Sequence, residues 1–547
     1  MHSVIRQGLC LLALCGSAVT TVRADPYPRQ KIDVQQYRFA ITLADSTDRI
    51  NGDATIRLIV LQADLAQVWF DLAGVTPARQ GRGMRVSGVT RDGAPLVFRH
   101  DGDRLTITLD RPAANGSIVE LLVHYAGIPA DGLQIKPTPL GDRAFFSDNW
   151  PDKGHHWLPL IDHIAGKATM EMSVTAPSHY QVISNGLQVE STDLPLDMRR
   201  TVWRESVPIA PWLYALGVAS FAVQHVADYA GIPIDTWVFA KQRDAGFHDF
   251  AVPTRDALAF YSEFVGPFSY EKLANVQSNS VSGGMEAASA IFYSAGSVAG
   301  TRPVRWRNVV IHEIAHQWFG DAVTESDWND VWLSEGFATY FTLLFIEHAY
   351  GRDEFTTGLR DSRRTVLEFD TKTPSYRVVH ANLTDMANVT SAMTYQKGSW
   401  VLHMLRAEMG DDRFWAGIRD YYARHRNSTA TTADFRHAME QAAGRDLDPF
   451  FQQWLYRGGV PRLTGSWRWD GTAKQVVVEL HQTQAGEPFQ LPIELGITLP
   501  GTRTRIERAS LTARDGRFTF SADVAPATVE LDPNVRLLFD GRLAPKP

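Results

Sequence analysis

His312-Glu313-Ile314-Ala315-His316 sets two imidazoles four residues apart, and Glu335 follows after eighteen intervening residues. On a helix, positions i and i+4 lie one turn apart on the same face. Ring nitrogens placed that way suit one Zn2+ ion, with a carboxylate from a second element as third ligand. Water at the open fourth position would meet Glu313, between the histidines, as the base that takes its proton. His312, His316 and Glu335 are therefore candidate ligands of a single zinc, and Glu313 the candidate general base. The same groups buried without a cation would be costly to satisfy.

Two helices must position them. Residues 308–320 contain no Pro and end at Gly320, a common helix stop. The polar motif sits among apolar residues, which predicts a buried helix. Residues 321–329 read as a loop. Val331-Trp-Leu-Ser-Glu-Gly-Phe-Ala-Thr-Tyr-Phe reads as the next helix, with Glu335 in its early turns. An antiparallel pair of helices returns Glu335 to the histidines.

Around this pair stand 547 residues, a length that predicts two to four domains. With 44% hydrophobic and 21% charged residues the composition is that of a soluble globular protein. A net charge of −7 gives no reason to expect a nucleic-acid partner. Fifteen Trp predict large cores and a deep cleft. At the N-terminus, His2 and Arg6 precede an apolar run over 8–19, and Val22-Arg23-Ala24 resembles a signal-peptidase site. Residues 1–24 thus read as a signal peptide, and the chain as periplasmic or secreted. Cys10 and Cys15 both fall inside that segment, so the mature chain has no disulfide. No other stretch approaches a transmembrane length.

Residues 25–221 are mostly short alternating runs such as Leu105-Thr-Ile-Thr-Leu, separated by turn signals such as Asp101-Gly102, and read as an all-β domain. Over 222–458 the period becomes helical, and because the zinc motif lies in this stretch it reads as the catalytic domain. Beyond Gly458-Gly459-Val-Pro461 strands return, as in Gln475-Val-Val-Val-Glu-Leu, and 459–547 read as a small β-sandwich. The fold class expected is a multidomain α+β chain.

Zinc spacing alone does not separate exopeptidase from endopeptidase, since the thermolysin group has a Glu at nearly this distance. Two further segments bear on it: Gly283-Gly284-Met285-Glu286-Ala287 before the motif and Tyr395-Gln396-Lys397-Gly398 after it. Together with the zinc motif they resemble the M1 family of zinc aminopeptidases, in a short, bacterial-type form. The resemblance implies a thermolysin-like, mainly helical catalytic domain and peptide substrates with a free N-terminus. It implies that Glu286 pairs with the substrate ammonium and so measures the distance from amine to scissile carbonyl. Gly283 and Gly284 would let the backbone approach the substrate and bond it like an added strand. Tyr395 would donate to the oxyanion. Counting back from Trp157 places Asp148 where the family has a Gln or Glu that helps hold the amine. His155 and His156, being adjacent, share no helical face and read as structural or cleft-lining. Ala287 departs from the family's Asn. Two other readings remain: a zinc endopeptidase, and a catalytically weakened peptide-binding protein on the same frame.

Overall fold

Alternation along Arg104–Ala113 buries Leu105, Ile107 and Leu109 while the residues between them face outward. Repeated over the N-terminal third, this pattern builds sheets with one face on a core. The computed structural model describes residues 30–381 and 383–546. The expected signal peptide lies outside the described residues. An eight-stranded sheet dominates the region, with Ile32–Ala44 at its middle, antiparallel to Thr47–Val60 and parallel to Ala168–Pro177. A four-stranded sheet beside it contains Arg143–Ser147, which ends one residue before Asp148.

The middle region departs from the helical expectation at its start. It opens with a five-stranded mixed sheet, in the order Phe221–Tyr229, Ile232–Phe239, Leu273–Ser278, Ala290–Ser294 and Gly284–Met285. All six residues of Leu273–Ser278 are buried. A strand covered on both faces shows no alternation, so its pattern cannot be told from a buried helix segment. Ile232–Phe239 and Leu273–Ser278 pair in parallel. Their connection must therefore cross over, and it does so through helix α1, Arg243–Phe264.

Four further helices complete the frame of the site: α2 (Val304–His316), α3 (Trp332–Tyr350), α4 (Arg352–Lys372) and α5 (Gly398–Met409). Most of α3 is buried on every side, as an all-round apolar helix must be. The segment read as a loop between α2 and α3 holds a short strand, Val323–Glu325, paired with Ser428–Ala430. Beyond residue 460 lie a four-stranded and a three-stranded sheet, with Val476, Val478, Leu480, Ile493 and Leu495 in the core. Among the described residues no helix is long and apolar enough to cross a membrane.

Candidate active site

Helix α2 delivers His312 and His316 on one face, with their Nε2 atoms 3.0 Å apart. His316 donates from Nδ1 to the Phe319 carbonyl at 3.1 Å, and Ser334 Oγ lies 3.0 Å from the same nitrogen. That outer hydrogen bond leaves the Nε2 lone pair facing inward, the tautomer a metal ligand needs. The chain can turn so sharply after α2 because Gly320 has φ +113°. A Cβ there would also lie 2.3 Å from Ser334 Oγ and 3.2 Å from His316 Nδ1.

Glu335, on the first turn of α3, brings Oε2 to 3.5 Å from His312 Nε2 and 3.3 Å from His316 Nε2. Its other oxygen accepts from the Tyr395 hydroxyl at 2.7 Å. Tyr395 arrives on one π turn, Met393–Lys397, immediately before α5. Backbones touch where the turn meets α3: a Cβ on Gly336 would lie 3.0 Å from Gly398 Cα. Only two glycines allow that approach, and it brings the Tyr395 hydroxyl to the carboxylate beside Gly336.

Glu286 follows the edge strand Gly284–Met285, which pairs with Phe292 and Tyr293. Among the described residues no strand pairs with its other side. Glu286 is buried, with Oε1 3.9 Å from His316 Nδ1. The amide of Gln317, one residue past His316, donates to the Glu286 carbonyl at 2.9 Å and accepts from Ser289 N at 2.8 Å. It ties the Glu286 segment to the end of α2. From the other side the N-terminal sheets hold the same segment: Gln134 donates to Ser280 O, Ser280 Oγ to Ser147 O, and Asn185 to Ala288 O.

Asp148 sits off this cluster. Its Oδ2 is 3.5 Å from Gln134 Nε2 and 4.0 Å from Lys153 Nζ. Burial raises its carboxyl despite Lys153, and its charge adds to the field on Glu286. His155 bonds Asp162 at 2.7 Å and belongs to neither group of metal-capable side chains found among the described residues. Those groups are His312 with His316 and Glu335, and Glu286 with Glu313 and His316.

Charge balance tests whether a cation fits. Three carboxylates, Glu286, Glu313 and Glu335, converge on two imidazoles. Burial raises Glu313 well above the usual carboxylate range, and the Glu286 carboxylate adds to this. Glu286 is pushed up to about 7 by burial, against the pull of His316. Burial would also raise Glu335, but His316 and His312 hold it down at about 2. His316 loses basicity to burial and regains far more from the surrounding carboxylates, ending well above its usual value. Glu335 Oε2 is buried and has no hydrogen-bond donor. A buried anionic oxygen flanked by two Nε2 atoms is an incomplete polyhedron, and N/O donors of this kind suit zinc. His312, His316 and Glu335 would hold it.

Glu313 projects from α2 against the edge strand. A Cβ on Gly284 would lie 2.1 Å from Glu313 Oε1 and 2.4 Å from its Cγ. Gly284→Ala must therefore displace the whole Glu313 side chain. With Glu313 as the general base expected from the sequence, the result should be a loss of roughly 10²-fold in kcat, since a misplaced base loses most of its effect. Metal content, measured by elemental analysis, should stay at the wild-type level because no ligand is touched.

Residues 253–454 match the sequence pattern described as the Peptidase family M1 domain. Mouse (Mus musculus) glutamyl aminopeptidase is 27% identical over 365 residues, covering 64% of this chain and 38% of that protein. Aminopeptidase A of Gloydius brevicauda is 29% identical over 333 residues, covering 58% of this chain and 34% of its own length. The chain thus spans under two fifths of the length of these relatives. Among solved structures, aminopeptidase A of Legionella pneumophila in complex with aspartic acid has a TM-score of 0.79 at 17% identity, over 94% of this chain and 60% of that one. The M1 zinc metallopeptidase of Deinococcus radiodurans has a TM-score of 0.64 at 24% identity, over 78% of this chain and 93% of that one. The multidomain fold is shared with both. Through residues 253–454 the chain is thus similar to the peptidase family M1 domain, and it shares its fold with solved M1 zinc peptidases.

Proposed function

We propose that this chain is a zinc-dependent aminopeptidase that releases N-terminal residues from peptides. One ion would be held by His312, His316 and Glu335. Bound zinc supplies Lewis acidity, which polarises a carbonyl and makes water acidic enough to lose a proton near neutral pH. Glu313 takes the proton of the attacking water and passes it to the leaving amine. Tyr395 donates its hydroxyl to the oxygen on which negative charge develops. The unpaired edge at Gly283 and Gly284 offers backbone groups to an extended peptide. Glu286, with Asp148 adding negative charge nearby, receives the ammonium.

The observation that carries this reading is the buried Glu286 carboxylate, 3.9 Å from a metal-capable histidine. An anion so close to the reacting centre pairs with a free amine and leaves no length for residues upstream of it. The relatives named aminopeptidases support the same class. An aminoacyl-fluorophore panel tests it. Chelator should reduce turnover to about 1% or less, and zinc should restore it. N-acetylation of the substrate should abolish turnover. Equal rates on acetylated and free substrates would replace this reading with an endopeptidase. We also propose that the chain is exported after cleavage near Ala24, on the composition of residues 1–24. An N-terminal sequence beginning at Met1 in the mature protein would refute that.

A further inference from the structure

Lys397 shares the π turn of Tyr395 yet reaches away from the site. It is fully buried, and its Nζ donates to the Gly459 carbonyl at 2.9 Å. Gly459 lies in the junction between the helical region and the C-terminal sheets, with φ +84°. The junction is fitted closely there, since a Cβ on Gly458 would lie 2.7 Å from the Ser375 carbonyl. A second contact closes it: Arg462 Nη2 meets the buried Asp370 of α4 at 3.2 Å. Asp370 is also the negative charge that favours the Lys397 ammonium, which burial pushes down to about 8.

The turn has little slack. Lys397 N bonds Ala392 O five residues back at 3.0 Å, Met393 and Thr394 are buried, and Gly398 presses on Gly336. Before Tyr395, Thr394 is held against α3 beside Glu335, where a Cβ on Gly336 would lie 3.0 Å from its carbonyl oxygen, and after Tyr395, Lys397 ties the turn to the junction. Tyr395 stands between the two anchors. A buried ammonium is costly, and an apolar side chain of similar length would fill the same slot more cheaply. What the ammonium adds is a directed bond to one carbonyl.

We propose that Lys397 is a positioning residue for Tyr395, through which the junction with the C-terminal sheets sets the placement of the phenol. The proposal rests on Tyr395 acting as the oxyanion donor argued above. An oxyanion donor works only when it is held close to the position the charge will occupy. The test is a double-mutant cycle of Lys397→Met and Tyr395→Phe in the full chain, read as kcat and KM on an aminoacyl-fluorophore. Lys397→Met should lower kcat about tenfold, leave KM within about twofold, and leave zinc content unchanged. In the Tyr395→Phe background it should add less than about a twofold loss. If Lys397→Met does not accumulate as folded, zinc-loaded protein, Gly459→Ala serves instead. Its positive φ forces the carbonyl to shift, and the same kcat defect should again vanish in the Tyr395→Phe background. Additive losses, or an unchanged kcat, would overturn the positioning role while leaving the aminopeptidase reading intact. A Tyr395→Phe enzyme as fast as wild type would overturn both the positioning role and the oxyanion-donor role of Tyr395.

Discussion

Glu313→Gln is expected to lower kcat by roughly 10³-fold or more while the protein remains folded and zinc-loaded. The substitution is nearly isosteric and removes only the capacity to accept a proton. Shape matters here, because Gly284 leaves no room around the Glu313 side chain. The Gln side chain can occupy the same space, so backbone and ligands should stay in place. Glu313 is not one of the three side chains that would hold zinc, so elemental analysis should give the wild-type stoichiometry. The proposed base has no substitute among the nearest carboxylates: Glu286 is the proposed amine anchor, and Glu335 faces the two histidines. Residual activity above about a tenth of wild type, with zinc bound, would remove Glu313 from the proton-transfer role.

The second large effect is expected at Glu286. Glu286→Gln should reduce kcat/KM on free-amine substrates by roughly 10²-fold, the scale on which removing one partner of a buried charge pair acts. Its diagnostic consequence is selectivity. Wild type should discriminate strongly between a free-amine peptide and its N-acetylated form, and the variant should lose most of that ratio. The Glu286 carbonyl still receives Gln317 in the variant, so the segment keeps its place on α2. Rates on both substrates, with zinc content and a melting curve as controls, decide it. An unchanged ratio would show that the amine is held elsewhere.

The two predictions differ in how far their residues could be read from the chain alone. His312, Glu313 and His316 are bound by helical geometry within five residues. The return of Glu335 needs only a second helix, and the structure supplies it in α3. The alternating strands of the N-terminal region and the strands after residue 460 were equally legible, because one face of each meets a core. The buried sheet that opens the middle region was not. Leu273–Ser278 is covered on both sides and carries no period by which to tell strand from helix.

Local spacing thus determines, by itself, which side chains share the metal-capable face and which carboxylate stands between them. Tertiary structure alone decides the rest. Glu313 is confined by Gly284, twenty-nine residues earlier. Glu286 is pinned by Gln317 from one side and by the N-terminal sheets from the other. Tyr395 reaches Glu335 because Gly336 and Gly398 let two backbones touch, and Lys397 fastens that turn to Gly459. Helical periodicity is a property of neighbours in sequence, so it is written into any short window. A steric limit or a hydrogen bond between distant segments exists only once both have packed, and no spacing rule encodes it.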